Sequence, residues 1–329
     1  MERMPLKLSP APKDYLWGGN RLKEEYGKKF EVEPLAETWE CSTHPDGPSV
    51  IVGGAYDGRT LAHFLKEHPE ALGARSLELT GGKAELPILV KLIDAAKDLS
   101  VQVHPDDDYA LKYENSLGKT EMWYVLQATP DAKLVHGFRR DVTEEEVRAA
   151  AEDGSIEELL NYVPIRPGDL FYIASGTVHA IGAGALVAEV QESSNITYRL
   201  YDYNRVGADG KKRPLHVEQA LRVMNRSAAK QVGAEDGSME RVVRRQEGCE
   251  SELLKSCRYF TVERCKVWRE THLTKIDDSF RVLLFIDGSG QLDAGGESLP
   301  VCKGDTVFLP AGGPDAVISG ETEYLDIRV

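Results

Sequence analysis

No run in the 329 residues approaches the roughly 18 apolar positions of a membrane span, and Met1–Pro10 mixes charges and prolines without the apolar stretch of a secretion signal. Cysteine is sparse: Cys41, Cys249, Cys257, Cys265 and Cys302 are five, an odd number, and none forms a C-x-x-C pair. That argues against a disulfide framework or a structural zinc knuckle and fits reduced thiols in a cytoplasm. Positive charge is in deficit, with 40 Lys and Arg against 54 Asp and Glu and a net charge of −14. Such a field opposes attraction to nucleic acid or to anionic lipid, so neither partner is expected. A glycine-rich phosphate loop is missing too, because Gly182-Ala-Gly-Ala185 lacks the strand-to-helix setting and reads as a β-turn. The expectation is a soluble, unprocessed, cytoplasmic chain of open oligomeric state.

What is present is β texture. A hydrophobic fraction of 41% supports substantial cores, and short runs of Val, Ile, Leu, Phe and Tyr are bounded by Gly, Pro and Asp. Ser49–Val52, Met122–Gln127 and Asp169–Ala174 are examples, and together they predict a sandwich or barrel. Helices are fewer. Thr143 and Glu146 form a capping box ahead of Val147 and the run Ala149–Ala151, and a second short helix is predicted over Ser155–Tyr162. Apolar spacing predicts two more, Thr60–Glu67 and His216–Met224. Apolar density falls between Asn225 and Gln246, which places a domain boundary at 230/231. One internal repeat spans that boundary: Pro164-Ile-Arg-Pro-Gly-Asp-Leu-Phe-Tyr-Ile against Pro300-Val-Cys-Lys-Gly-Asp-Thr-Val-Phe-Leu, where Gly168 and Gly304 can take positive φ and Asp169 and Asp305 can bond their own backbone. At the same offset His179 corresponds to Asp315, so a metal site is expected in the first copy alone.

Four residues on three segments suit a divalent metal. In Leu99-Ser-Val-Gln-Val-His104 the alternation of a strand puts Gln102 and His104 on one face and Val101 and Val103 on the other. Glu121 opens the apolar strand that follows, and His179 comes after the turn Ser175-Gly176-Thr177. Two neutral imidazoles, one carboxylate and one amide oxygen suit a borderline divalent ion and cancel only one of its two charges, leaving a strong Lewis acid. Each residue alone is as well read as an ordinary satisfied polar group. His44, His63, His68, His136, His216 and His272 lack such company and are read as surface residues or neighbours of the site, while Glu189 and Asp106 are the nearest alternative carboxylates.

Tyr15-Leu-Trp-Gly-Gly19, Leu99–Asp107, Gly118-Lys-Thr-Glu-Met-Trp-Tyr124, Pro167–Gly182 and Thr197–Arg205 carry a family resemblance. In these segments, spread over residues 15 to 225, the chain resembles the type I mannose-6-phosphate isomerases in their short bacterial form. The resemblance implies a mainly β fold of two cupin (jelly-roll β-barrel) domains with helices inserted in the first. The first, residues 1–230, would be catalytic, and the second, 231–329, a degenerate cupin without a metal site. It also implies one zinc ion on Gln102, His104, Glu121 and His179, and aldose–ketose isomerisation of mannose 6-phosphate and fructose 6-phosphate through an enediol. Arg199 would be a catalytic arginine and Lys119 an active-site lysine. Departures are Asn195, where many short-form relatives carry Asp, and Ala174, where a proline is common. Competing readings pair Arg199 with Asp202 and leave Lys119 in an exposed turn. For the phosphate, Arg205 and Lys211–Arg213 are the cationic candidates. Two His and a carboxylate also describe a non-haem iron oxygenase on this fold, and a non-catalytic sugar-phosphate-binding cupin is a further alternative.

Overall fold

The computed structural model describes residues 3–207, 210–229 and 242–329. The expected mainly β, jelly-roll architecture is present. Strands 170–173, 121–128, 185–192, 88–94, 37–41 and 11–13 form a six-stranded sheet in that spatial order. Strands 198–201, 101–103, 179–181, 133–138 and 160–164 form a five-stranded one. The two enclose a core to which Ile93, Trp123, Val125 and Phe171 come from the larger sheet and Leu134 and Ile181 from the smaller. The outer face of the smaller sheet, with Val101, Val103 and Leu200, is covered by Val147, Ala150 and Ala151 of the helix Glu144–Asp153 and by Ala220 and Leu221 of Val217–Val223.

A third, ten-stranded sheet holds the C-terminal strands, built on the long pair Arg281–Ala294 and Ala316–Arg328. Period-two alternation there serves two cores at once. Val282, Leu284 and Ile286 pack against the first unit, while Leu283 and Phe285 point into the core that the C-terminal sheet folds around. This sheet also takes in Leu6–Ser9, paired Leu6 to Phe308, and Val50–Val52 beyond it. The predicted boundary at 230/231 lies outside the described residues, and the sheet formed after it includes two strands from before it. No helix of the described residues is long and apolar enough to cross a membrane. All five cysteines are free.

Elements whose causes are local follow the sequence signals. Thr143 caps its helix through both bonds of the capping box, and Thr60 Oγ1 accepts from His63 N ahead of Leu61–Glu67. The Gly182–Ala185 segment is a turn leading into a strand, with Ala185 N bonded to Gly182 O at 3.4 Å. Ser155–Tyr162 differs: one 3-10 turn, Ser155–Glu158, gives way to the strand Leu160–Pro164. Tyr162 and Val163 pair with Val135 and Leu134, and Pro164 is accommodated because this strand is the edge of its sheet. The internal repeat is structural. Gly168 N bonds Val125 O and Gly304 N bonds Phe285 O, each at 2.8 Å, and both glycines have positive φ, 89° and 92°. Asp169 Oδ2 accepts from Arg166 N as Asp305 Oδ2 does from Cys302 N. Asp315 faces solvent and accepts from Lys275 N at 2.8 Å.

Candidate metal centre and its cavity

Three neighbouring strands of the smaller sheet line up the polar groups. In register, Gln102 is opposite His179 on one side and Arg199 on the other, so a single row crosses the sheet on its inner face. Val101 and Val103, fully buried against the outer helices, hold Gln102 inward. His104 follows the strand, where its carbonyl accepts from Gly176 N at 2.8 Å. Glu121 opens its strand in the facing sheet opposite Gln191. His179 Nδ1 lies 2.8 Å from Thr177 O, an atom that can only accept, so Nδ1 carries the proton and Nε2 turns a lone pair to the site.

The groups converge. His179 Nε2 is 3.1 Å from His104 Nε2 and 3.4 Å from Glu121 Oε1, and His104 Nε2 is 3.7 Å from Glu121 Oε2. Of the predicted ligands, His104, Glu121 and His179 thus meet within 4.8 Å. The Gln102 amide stands beside them, its Nε2 at 3.5 Å from His179 Nε2 and its Oε1 at 3.5 Å from Ser100 Oγ, and a half-turn of the amide exchanges the two atoms.

Burial pushes the His179 pKa down to about 3, and burial together with the nearby Lys119 ammonium holds His104 well below its ordinary value. Both imidazoles are therefore neutral at pH 7. Burial raises the Glu121 carboxyl above the ordinary range, opposed by Lys119, and neither of its oxygens has a hydrogen-bond donor of good geometry. Fully buried acceptors facing one another are costly unless a cation satisfies them. These residues fit a divalent ion. Lys119 Nζ lies 3.0 Å from both His104 Nε2 and Glu121 Oε2 and is almost fully buried, so it is no exposed turn residue.

Above the cluster opens a cavity of about 310 Å³, to which Gln102, Lys119 and Arg199 all contribute. Arg199 bonds Ser100 Oγ at 3.2 Å and Pro214 O at 3.0 Å. Its expected competitor pairing with Asp202 is not formed, since Asp202 is bound by Arg205 and by Arg213, whose Nε is 2.8 Å away. Burial and the neighbouring Arg213 depress the Arg199 pKa, the sign of a locally positive mouth on an acidic protein. Of the phosphate candidates, Arg213 lines the cavity, while Arg205 bonds Asp98 O at 2.5 Å and Lys212 bonds Asn204 at 2.8 Å. Asn195 lines the cavity and bonds Asp46 at 2.9 Å. Asp106, an alternative carboxylate, is a helix cap accepting from Tyr109 N.

Sequence reasoning missed Lys91 and Glu37 in the cavity and took Glu189 only as an alternative carboxylate for the metal. Lys91 Nζ lies 2.8 Å from Glu189 and 3.9 Å from Glu37, all three almost fully buried. Trp123 Nε1 donates to Glu189 and Trp39 Nε1 to Glu37, each at 2.8 Å. Burial opposes every charge here, yet the partners win: Lys91 holds the Glu189 pKa below the ordinary range, and Glu189 and Glu37 hold Lys91 above its own. The available signal was a single lysine inside the otherwise apolar Ile88–Ile93, because a buried lysine needs partners.

Comparison with known proteins accords with this geometry. Residues 5–139 match the family described as phosphomannose isomerase type I, catalytic domain, and residues 250–329 match the mannose-6-phosphate isomerase cupin domain. Mannose-6-phosphate isomerase ManA of Bacillus subtilis is 37% identical over 99% of both chains. The mannose-6-phosphate isomerase of Streptococcus mutans is 37% identical over 93% of this chain and 92% of its own. A crystal structure of the mannose 6-phosphate isomerase from Bacillus subtilis superposes with a TM-score of 0.88 at 34% identity over 99% of both chains. With full-length relatives, both domain matches and the buried His–Glu–His cluster in agreement, the chain belongs to the type I mannose-6-phosphate isomerase family.

Proposed function

We propose that this chain interconverts mannose 6-phosphate and fructose 6-phosphate in the cytoplasm, using one zinc ion held by Gln102, His104, Glu121 and His179. The observation that carries the reading is the juxtaposition of a buried His–Glu–His cluster with a cavity of about 310 Å³ lined by Lys119, Arg199 and Arg213. A bound zinc ion supplies Lewis-acid polarisation of the sugar oxygens. The chain's own groups do the rest. Moving the carbonyl between C1 and C2 transfers a proton between adjacent carbons through an enediol, and negative charge builds on the oxygens. Arg199, fixed by Ser100 and Pro214, directs its guanidinium fork at that charge. Lys119, beside His104 and Glu121, handles protons at the same oxygens. Arg213 sits at the cavity wall with a second guanidinium for the phosphate. Lys91, kept charged by Glu37 and Glu189, presents an ammonium to the sugar hydroxyls. Residues 1–230 form the catalytic unit and 231–329 a unit without a metal site, in which solvent-facing Asp315 stands at the His179 position.

A coupled isomerase assay on protein of defined metal content tests this. The expected result is one zinc per chain and conversion of mannose 6-phosphate to fructose 6-phosphate. Bound iron with oxygen consumption and no isomerisation would assign the site to an oxygenase. Binding of mannose 6-phosphate without turnover would make the protein a sensor.

A further inference from the structure

The segment Gly118–Glu121 carries Lys119 and Glu121 into the site, and its backbone is held at every step. Gly118 N bonds Asp107 Oδ1 at 2.9 Å, Lys119 N bonds Pro105 O at 3.0 Å, and Thr120 N bonds Glu192 Oε2 at 2.6 Å. Gly118 packs so closely that a Cβ there would lie 2.5 Å from Asp107 N. Asp107 and Glu192 also touch each other: burial and Asp107 push the Glu192 carboxyl up to about 8. The remaining partner comes from the far end of the chain. Tyr259, in the link between strands Cys249–Ser256 and Thr261–Val267, donates its hydroxyl to Asp107 Oδ2 at 3.2 Å. The strand that leads into this link also rests on the first unit, with Lys255 Nζ 4.0 Å from the Tyr172 ring centroid. Tyr172 belongs to the strand paired with the one Glu121 opens.

We infer that Tyr259 and Asp107 are positioning residues for Lys119, and that through them the C-terminal sheet sets the turnover of a site to which it contributes no ligand. Tyr259 fixes the Asp107 carboxylate, the carboxylate fixes Gly118 N, and the next residue, Lys119, presents its ammonium to the cavity beside the proposed ligands. A small slide of this segment moves the Lys119 ammonium relative to a sugar in the cavity, and displacements of this kind cost on the order of ten- to a hundredfold in rate. The inference rests on the reading of Lys119 as an active-site residue, and the experiment separates the two.

The test is a double-mutant cycle of Tyr259→Phe and Lys119→Ala on the full-length, zinc-loaded protein. Tyr259→Phe is expected to lower kcat about tenfold, with KM and zinc content unchanged, and to have no further effect on the residual kcat of Lys119→Ala. Asp107→Ala should reproduce the loss, and Asp107→Asn, which keeps an acceptor for Gly118 N, should restore most of it, whether or not Tyr259→Phe folds well. Unchanged kcat in Tyr259→Phe, or the same fractional loss in both lysine backgrounds, overturns the inference. Wild-type turnover in Lys119→Ala alone overturns the reading of Lys119 instead.

Discussion

At the scale of single residues, the site divides into groups that declare themselves in sequence and groups that do not. Gln102, His104 and His179 were legible because strand periodicity and a glycine turn put them on one face. Lys91 and Glu37 were not, and Glu189 was legible only as an alternative ligand, because the meeting of the three depends on register across three strands, with Lys91 opposite Glu189 on one side and Trp39 on the other. Glu121 is the sole anion among the four proposed ligands. Glu121→Ala should therefore lose metal on dialysis, and stoichiometric metal afterwards would remove Glu121 from the ligand set. Arg199→Ala should keep its metal and lose roughly a hundredfold in kcat, the scale of removing one donor to a developing oxyanion; unchanged turnover would take Arg199 out of the mechanism. The neutral histidines give a pH dependence in the metal-stripped protein. The unfolded chain binds protons on His104 and His179 near pH 6.5, whereas folded His179 waits until about 3 and His104 also lies well below 6.5. The contribution of the two histidines is thus full above pH 6.5 and is lost on acidification, by up to about 1.4 kcal/mol per pH unit per histidine. Urea unfolding of the wild type and of His179→Gln at pH 7, 6 and 5 isolates this contribution from that of the raised carboxyls Glu121 and Glu192, and parallel profiles in the two proteins would refute it.

At the scale of elements, caps and glycine turns were readable because the interactions that make them lie within a few residues. The helix at Thr143 is the clearest case, and the error over Ser155–Tyr162 arose because strand Leu160–Pro164 exists only by pairing with Lys133–Phe138. The repeated Gly-Asp turn offers a controlled comparison. Gly168→Ala meets open space and suffers only the strain of positive φ, about 1–2 kcal/mol. Gly304→Ala suffers the same strain and in addition puts a Cβ 2.1 Å from Tyr26 O. Urea denaturation should show the Gly304 variant to be clearly the less stable; equal losses would mean that the Tyr26 contact relaxes freely.

At the scale of the whole molecule, composition and texture revealed β architecture and duplication, but sheet membership was hidden, since nothing near Leu6–Ser9 names Thr306–Leu309 as its partner. Buried groups cross the same seam: Lys28 Nζ bonds Glu40 and Gly304 O, and Thr306 Oγ1 donates to Glu40 at 2.8 Å. Residues 1–229 expressed alone would strand that buried ion pair and uncover the core around Leu8 and Ile51. We expect such a fragment to aggregate or to lack a cooperative thermal transition, and a soluble, two-state fragment would show the first unit to be self-sufficient. The pairing of Leu6 with Phe308 also bears on biosynthesis. Chains elongate at about 5–20 residues per second, so Leu6–Ser9, once made, waits roughly 15–60 s for its partner about 300 residues later. Throughout that interval the edge of this strand that does not pair with Val50–Val52 is open to chaperones and to neighbouring nascent chains.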